Sequence, residues 1–192
     1  MRVIAGQFRS RPLSAPRGLD TRPTSDRLRE TLFNVLAPRI SGSAFLDLYA
    51  GSGAVGIEAI SRGAQEVIFV EHAEPALRAI RTNLASLNIR GGYALEARSA
   101  TAALKRLTSA QKVASLVFLD PPYADAAEYE SVLKLLGGEC QELLAPHAVV
   151  IAEHLKKLTI AESYGTLNRY RALKQGDSIL SFYSRSQGDH TS

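Results

Sequence analysis

The first third of the chain contains a strand, a glycine-rich turn and a helix in direct succession. Residues 44–49 form a nearly continuous apolar run, Gly51-Ser52-Gly53 follows, and apolar residues at helical spacing continue to Ile60. Glycines at such a junction let a ligand approach the backbone closely, and the first N–H groups of the helix point towards that ligand. The pattern therefore predicts an α/β fold with a ligand-binding turn, whose contacting residues are Tyr49, Ala50, Gly51 and Gly53.

Asp47 lies inside this apolar strand, four residues before Gly51. A strand covered by helices on both faces is buried, so a carboxylate there is costly unless a positive group or the turn amides pair with it. S-adenosylmethionine carries a sulfonium and an ammonium group, whereas the pyrophosphate of a dinucleotide would be repelled by Asp47. Asp47 therefore favours S-adenosylmethionine. The spacing Gly51, Gly53, Gly56 also fits G-x-G-x-x-G, so an NAD-dependent oxidoreductase is an alternative.

Strands and helices alternate along the rest of the chain. Apolar runs predict strands over residues 65–70, 93–97, 115–119 and 148–153, helices over 74–87, 101–107 and 126–136, and closing strands near 168–173 and 178–184. This order implies an α/β fold with a mostly parallel sheet of seven strands, helices on both faces, and one antiparallel strand from the final hairpin. Because ligands bind beyond the carboxyl ends of parallel strands, the residues that end different strands should meet along one edge.

Two further strand ends carry residues that suit a nucleoside. Glu71 follows the second strand, at the usual distance after the glycine turn at which an acidic side chain accepts both ribose hydroxyls of adenosine-type ligands. Ser99 and Ala100 follow the third strand and are candidates for contact with the adenine edge. Glu71 fits NAD and S-adenosylmethionine equally well, so these positions predict a nucleoside without choosing between the two cofactors.

The sequence Asp120-Pro121-Pro122-Tyr123 follows the fourth predicted strand. Its prolines fix the backbone and its carbonyl oxygens, and Tyr123 offers a flat face for stacking on a base. An exocyclic amino nitrogen is a poor nucleophile because its lone pair is conjugated into the ring. The carboxylate of Asp120 and the carbonyl of Pro121 would hold its N–H bonds and aim its lone pair at a sulfonium methyl group. The motif therefore predicts amino-methylation in a cleft shared with Asp47.

The excess positive charge of the chain lies in its N-terminal fifth. The segment 1–39 contains eight arginines and three acidic residues, a net charge of +5, whereas the rest of the chain has a net charge of −1. Arginine pairs bidentately with phosphate and stacks on bases, so this segment fits a nucleic-acid contact, and a solvated basic arm is an equally open alternative on charge alone. The candidate nucleic-acid-binding residues are Arg9, Arg11, Arg22, Arg27 and Arg29.

The N-terminal region predicts a short hairpin followed by a helix. Residues 2–16 alternate loosely around a plausible turn at Gly6-Gln7. The helix should begin at residue 24 or 25 and end at Ala37, because a proline disfavours helical backbone in the residue before it and Pro38 follows. The buried face contains Leu28, Leu32, Val35 and Leu36, and the residues largely off that face are Arg27, Arg29 and Glu30.

Length and composition indicate one soluble domain. Of the 192 residues, 45% are hydrophobic and 22% are charged; we expect a single domain over residues 1–185, in which 1–40 form the basic extension, and a disordered tail over 186–192. The chain has neither an apolar run of membrane-spanning length nor a signal-peptide pattern after Met1, so we expect a cytoplasmic protein without a membrane partner. The lone Cys140 and four scattered histidines predict no disulfide and no metal site.

Three segments together resemble the bacterial 16S ribosomal RNA guanine-N2 methyltransferases of the RsmD type. They are the turn from Asp47 to Gly56, the sequence Asp120-Pro121-Pro122-Tyr123, and the entry segment Arg22-Pro23-Thr24-Ser25-Asp26-Arg27-Leu28-Arg29-Glu30-Thr31-Leu32-Phe33-Asn34. The similarity extends from about Val3 to Tyr183. The first two segments occur across amino-methyltransferases generally, so the entry segment is the most family-specific part.

The resemblance implies a Rossmann-like class I methyltransferase fold, S-adenosylmethionine as methyl donor, and a guanine of small-subunit ribosomal RNA as acceptor. The substrate would be 16S ribosomal RNA or an assembly intermediate of the small subunit, and the enzyme a monomer. The resemblance places the target amino group at residues 120–123 and the cofactor at Asp47, Gly51, Gly53 and Glu71. We expect the target base to be unpaired or flipped out and stacked on Tyr123.

Two positions depart from the family pattern. Ser99 stands where the family often has Asn or Asp, which weakens the expected adenine contact. Gln175 stands in the turn of the last hairpin where Tyr is usual, and this change affects only the turn.

Two other functions are compatible with the residues. A DNA methyltransferase acting on adenine N6 or cytosine N4 uses the same chemistry, but here only the short arginine arm is available for reading bases in the major groove. A non-catalytic RNA-binding assembly factor with a vestigial cofactor site is the second, and the intact motifs argue against it. The choice of guanine rests on the resemblance, and the modified nucleotide does not follow from the sequence.

Overall fold

Strands and helices alternate along the residues that the computed structural model describes, which are 1–16, 25–121 and 126–185. The helices are α1 (Asp26–Ile40), α2 (Ala54–Ser61), α3 (Glu74–Ser86), α4 (Ala100–Ser109) and α5 (Ala126–Leu136), and a 3₁₀ turn covers Gln141–Leu143. The strands are β1 (Ala44–Leu48), β2 (Glu66–Glu71), β3 (Tyr93–Ala97), β4 (Ala114–Leu119), β5 (Leu144–Leu155), β6 (Ser163–Tyr164), β7 (Leu167–Gln175) and β8 (Ser178–Arg185).

The strands form a sheet in the order β3-β2-β1-β4-β5-β8-β7-β6. β1 to β5 pair in parallel, whereas β8 runs antiparallel to its neighbours β5 and β7. The predicted α/β fold, with a mostly parallel sheet and one antiparallel strand among its seven main strands, is confirmed. The structure adds β6, an edge strand of two residues that is too short to produce a hydropathy pattern.

Alternate residues of the strands point into two separate hydrophobic cores. Phe45, Phe69 and Phe118 pack against apolar residues of α1, α2 and α3 on one face. Leucine and valine residues of the same strands pack against α4 and α5 on the other face. Helices therefore cover both faces, and Asp47, two residues after Phe45, points to the side of α1 and α2. None of the helices in the described ranges is long and apolar enough to cross a membrane.

The N-terminal segment, residues 1–16, is fastened to the carboxyl end of α2. The predicted hairpin is present as a short antiparallel pairing, with hydrogen bonds from Val3 N to the Arg11 carbonyl and from Ser10 N to the Val3 carbonyl, but it contains no extended strands. Glu58 of α2 is fully buried and accepts the backbone N–H groups of Ile4 and Ala5 at 2.7 and 2.9 Å. A buried carboxylate thus joins the start of the chain to α2.

Helix α1 continues beyond the predicted end at Ala37. It runs to Ile40 and contains Pro38 in its last turn, so the prediction that it stops before the proline is wrong. Pro38 is exposed and removes only one helical hydrogen bond, whose carbonyl on Asn34 is at the exposed surface. Ile40 is buried in the core, and its packing offsets that loss.

Replacing Glu58 with alanine should lower the free energy of unfolding by about 3 kcal/mol, because buried N–H groups and the Arg62 guanidinium lose their acceptor. Urea denaturation at pH 7 measures the change. Glu74→Ala is the matched control; this exposed side chain pairs with Arg78 and Arg81 at the surface, so the expected loss is below about 1 kcal/mol. Equal losses in the two variants would contradict a fastening role for Glu58.

Candidate active site

A cavity of about 670 Å³ opens at the carboxyl ends of β1, β2, β4 and β5. Sites for small molecules and cofactors typically measure ~300–1,000 Å³, so this one has room for a nucleoside cofactor and part of a second ligand. It lies where the strand order reverses between β1 and β4, the usual place for ligands in such sheets. The N-terminal segment and α1 form part of its wall through Met1, Ala15, Pro16, Ser25, Arg27 and Leu28.

The turn between β1 and α2 has an unusual backbone. Tyr49, Gly51 and Gly53 have positive φ angles of 62°, 56° and 77°, and a non-glycine residue in this region is uncommon outside functional sites. Gly53 is the N-cap of α2 and has no side chain to cap the helix. Tyr49, Ala50 and Gly51 line the cavity, whereas Gly53 packs against Phe69 and Ile80.

Asp47 is buried in the wall of the cavity, with 1% of its surface exposed. Its Oδ2 accepts a hydrogen bond of 2.8 Å from the Gly56 backbone N–H, so a turn amide is one partner of the carboxylate. Burial raises the pKa of Asp47 to about 7; the bond from Gly56 opposes this rise, and the nearby Glu71 carboxylate adds to it. A positively charged ligand would therefore favour the ionised form of Asp47.

Glu71 ends β2 and accepts three backbone N–H groups. Its Oε1 receives His72 N and Ala73 N, each at 2.8 Å, and its Oε2 receives Gly51 N at 3.0 Å. These bonds tie the end of β2 to the glycine turn and fix the carboxylate at the cavity wall. A carboxylate accepts about four hydrogen bonds, so this arrangement leaves capacity for about one ribose hydroxyl instead of the two expected.

Ser99 and Ala100 do not line this cavity in the part of the chain that the structure describes. Ser99 is the N-cap of α4, where its Oγ accepts the backbone N–H of Ala102. Ala100 is the first residue of α4 and is buried in the core on that side of the sheet. Their positions therefore do not support the expected adenine contact. A serine that follows a strand is also a common helix N-cap, and Ser99 has that role here.

Asp120 and Pro121 line the same cavity as Asp47. β1 and β4 are neighbouring parallel strands whose register pairs Asp47 with Phe118, two residues before Asp120. This pairing brings the two carboxylates to one edge of the sheet, although they are far apart in the sequence. Pro122 and Tyr123 lie outside the described residues, so the stacking role of Tyr123 stays a prediction.

Glu153, near the end of β5, also lines the cavity and was not among the predicted residues. It is 8% exposed, and its Oε1 accepts a hydrogen bond of 3.4 Å from the Ser178 hydroxyl. Tyr129 of α5 donates its hydroxyl to the Glu153 backbone carbonyl. Burial, with the Asp120 and Glu153 carboxylates, raises the pKa of Tyr129, so its hydroxyl keeps its proton. Glu153 follows an apolar run as Asp120 does, and that signal was available in the sequence.

His154 also lines the cavity, but both of its ring nitrogens form hydrogen bonds within the protein. Its Nδ1 lies 3.1 Å from the carbonyl oxygens of Leu155 and Leu158, which places the proton on Nδ1 and leaves Nε2 to accept from the Ser181 hydroxyl at 2.9 Å. Burial lowers the pKa of His154 and keeps the ring neutral. The residue therefore joins the end of β5 to β8 and is not poised as a general base.

The charged side chains in the described wall of the cavity are mainly acidic. Its carboxylates are Asp47, Glu71, Asp120, Glu153 and Asp177, and Arg27 is the only lysine or arginine among the described lining residues. A cleft lined by one sign of charge strengthens the local field. The cavity therefore favours a cationic ligand over a pyrophosphate. Among the described residues, no group of three or more His, Cys, Asp or Glu side chains is placed to hold a metal ion.

Two of the predicted RNA-binding arginines belong to α1. Arg27 is exposed and lines the cavity. Arg29 was expected to point away from the core, and this is wrong: its side chain is fully buried, and its Nη2 donates to the Arg2 carbonyl and to Asp26. The N-terminal segment covers this side of α1, so the buried face is wider than the apolar stripe. Arg29 is therefore not available to bind a phosphate.

The other predicted arginines lie away from the cavity or outside the described ranges. Arg9 and Arg11 are exposed, and Arg11 Nη2 donates to the carbonyl of Ser86 at the end of α3. Because α2 and α3 begin at the cavity and run away from it, this contact lies at the opposite end of the sheet. Arg22 lies outside the described residues.

The strand order, the antiparallel β8 and the glycine turn after β1 together define a Rossmann-like fold of the class I methyltransferases. Solved structures agree with this class. The candidate methyltransferase yhhF from Escherichia coli has a TM-score of 0.79 at 34% identity, covering 96% of this chain and 97% of that chain. The hypothetical protein TTHA0928 from Thermus thermophilus has a TM-score of 0.79 at 28% identity, covering 95% and 98%.

The family model described as Conserved hypothetical protein 95 matches residues 1–184, and the chain belongs to this family. The candidate rRNA methyltransferase YlbH of Bacillus subtilis is 33% identical over 185 residues, which are 96% of this chain and 99% of YlbH. Ribosomal RNA small subunit methyltransferase D of Escherichia coli K12 is 39% identical over 153 residues, 80% of this chain and 74% of that protein. The resemblance to the RsmD type is confirmed.

Asp47→Asn should change how stability depends on pH. The folded-state pKa of Asp47 is raised from 3.8 to about 7, so the folded wild type holds a proton that the unfolded chain has released, and stability falls as pH rises from about 4 to 7. In urea unfolding, the free energy of unfolding of Asp47→Asn relative to that of the wild type should rise by about 2–3 kcal/mol between pH 5 and pH 8. Asp177→Asn, at an exposed position, is the control. If the stability of wild type and Asp47→Asn changed equally with pH, the raised pKa of Asp47 would be contradicted.

Proposed function

We propose that this protein transfers a methyl group from S-adenosylmethionine to the N2 amino group of a guanine in 16S ribosomal RNA. The observation that carries the proposal is the single cavity into which β1 brings Asp47 and β4 brings Asp120. The Escherichia coli relative is named as a small-subunit ribosomal RNA methyltransferase, and membership of the same family supports that activity here. The choice of N2 of guanine is supported by the RsmD-type resemblance of the sequence.

The charge and backbone of one side of the cavity support S-adenosylmethionine as the cofactor bound there. This cofactor supplies an electrophilic methyl group on a positively charged sulfur. Asp47 and Glu71 give the wall a negative charge, and the backbone of the turn at Tyr49, Ala50 and Gly51 is open to close approach. Glu71, held by three N–H groups, would accept a ribose hydroxyl, and Asp47 would face the positive end of the ligand.

The acceptor side begins at Asp120 and Pro121. The Asp120 carboxylate and the Pro121 carbonyl would accept the two N–H bonds of the target amino group and turn its lone pair away from the ring. Orientation of this kind is worth up to ~7–11 kcal/mol in favourable intramolecular reactions. A strong base is not required, because the nitrogen becomes acidic only as the new bond to carbon forms. Asp120 would receive the proton that leaves.

The RNA would reach the cavity as a flipped or unpaired base, because a paired guanine covers both its amino group and its ring face. Arg27 lines the cavity and would bind the phosphate next to that base. Arg9, Arg11 and Arg22 would bind phosphates further along the RNA, and Tyr123 would stack on the flipped base.

Tritium transfer from labelled S-adenosylmethionine to unmodified 16S RNA, naked and assembled into small subunits, tests this function. Nucleoside analysis of the product should give N2-methylguanosine. N6-methyladenosine or N4-methylcytosine would overturn the assignment of the base, and an absence of transfer to both substrates would overturn the activity.

Replacing Asp120 with alanine should abolish methyl transfer while leaving the affinity for S-adenosylmethionine nearly unchanged. The loss in kcat should be about 10²–10⁴-fold, as for other groups that act mainly on the transition state. Isothermal titration with the cofactor and the tritium assay measure the two quantities. Glu71→Gln is a control for the cofactor side of the cavity, and it should weaken binding of S-adenosylmethionine. Methylation by Asp120→Ala at near wild-type rate would reject the amino-methylation mechanism.

Replacing Arg9, Arg11 and Arg22 with alanine should weaken RNA binding and flatten its salt dependence. Each phosphate contact contributes about 0.7–0.9 to the slope of log affinity against log salt, so the triple variant should lose about 2. Filter binding between low and high salt measures the slope. The control removes three exposed arginines elsewhere, Arg78, Arg81 and Arg90, and the same slope in both triple variants would reject the arm as the RNA contact.

A further inference from the structure

Two carboxylates lie side by side on the acceptor side of the cavity. Asp120 follows β4, Glu153 lies near the end of β5, and the parallel register pairs the residues just before them, Leu119 and Ala152. Adjacent strands are about 4.8 Å apart, so the two carboxylates can reach neighbouring atoms of one ligand. Both line the cavity, and the chemistry proposed above uses only Asp120.

The structure also holds Glu153 in place. Its backbone lies within β5, where it pairs with Leu180 of β8, and its carbonyl accepts the Tyr129 hydroxyl. The residue is 8% exposed, and its carboxylate accepts a hydrogen bond from the Ser178 hydroxyl. A fixed and largely desolvated carboxylate discriminates strongly between ligands, because it attracts a hydrogen-bond donor and repels a lone pair at the same position.

Guanine differs from the other amino-bearing bases in the atom beside its amino group. Its edge presents the donors N2–H and N1–H in succession. Adenine and cytosine place an acceptor lone pair, on N1 or N3, next to their amino groups. A pair of adjacent carboxylates accepts two neighbouring donors but repels a lone pair. The arrangement of Asp120 and Glu153 therefore fits guanine and disfavours adenine and cytosine.

We infer that Glu153 is the specificity-determining residue for guanine and accepts the N1–H of the target base while Asp120 holds its amino group. This inference rests on the proposed function and names the residue that selects the base for it. Glu153 takes part in no bond that forms or breaks. Its contribution is a hydrogen bond that orients the correct base and an electrostatic repulsion that excludes the others.

The test compares two versions of an RNA spanning the nucleotide that the tritium assay identifies, used naked or assembled according to which form is methylated. One version has guanine at the target and the other has 2-aminopurine, which keeps the 2-amino group but has a lone pair at N1. The enzymes are wild type, Glu153→Gln and, as a matched control, Glu142→Gln on the exposed side of the 3₁₀ turn. The measurements are kcat and KM for each RNA and the Kd for S-adenosylmethionine.

Wild type should prefer guanine over 2-aminopurine by about 10²-fold or more in kcat/KM. Glu153→Gln should lower kcat/KM for the guanine RNA by about 10-fold, because its amide oxygen still accepts N1–H but without the charge. It should also narrow the preference by at least about 10-fold, because the glutamine amide can donate to N1 of 2-aminopurine. 2-Aminopurine also lacks the O6 of guanine. This difference affects both enzymes, so it cancels when the preference of the variant is divided by that of wild type. The cofactor Kd should change by less than about two-fold, and Glu142→Gln should match wild type.

Equal slowing of both RNAs by Glu153→Gln, with the preference unchanged, would overturn the inference and leave Glu153 a structural role. Wild-type rates in Glu153→Gln would overturn it as well. Failure of the proposed function has a separate signature, since wild type would then produce no N2-methylguanosine from 16S RNA whatever residue stands at position 153.

Discussion

The parallel pairing of β4 with β1 and β5 is the constraint on which the whole site depends. The register sets Asp47 beside Phe118 and Leu119 beside Ala152, so the carboxylates near the carboxyl ends of these strands reach one cavity. A shift of β4 by one residue would exchange its two faces and place Phe118 in the core under α4 and α5. Packing on both faces of the sheet therefore fixes the chemistry as firmly as it fixes the fold.

Most of the sheet and the principal acidic residues were predictable because of this burial. Strands covered on both faces appear as continuous apolar runs, and a carboxylate within or directly after such a run has few explanations other than a ligand. Asp47, Glu71 and Asp120 were found in this way, and all three line the cavity. Glu153 gave the same signal at the end of its run, but no family motif marked it, and its importance follows only from its position beside Asp120.

The N-terminal region was less predictable because its structure depends on contacts between segments far apart in sequence. Helical periodicity on α1 assigns Arg29 to the exposed side, yet the N-terminal segment covers that side and the Arg2 carbonyl accepts from the guanidinium. Glu58 is a similar case, since its partners Ile4 and Ala5 lie at the very start of the chain. A single-sequence pattern describes each helix alone, so it cannot anticipate a charged residue that is buried by another segment.

The distribution of charge separates two tasks that an RNA methyltransferase must perform at once. The formal net charge of +4 suggests a generally basic surface, but the cavity itself is acidic and Arg27 is the only described lysine or arginine in its wall. On the proposed function, arginines would attract the phosphates of the RNA, whereas the carboxylates of the cavity would repel them and leave a neutral base unaffected. The same acidic wall that favours a cationic methyl donor would thus admit the base and exclude the RNA backbone.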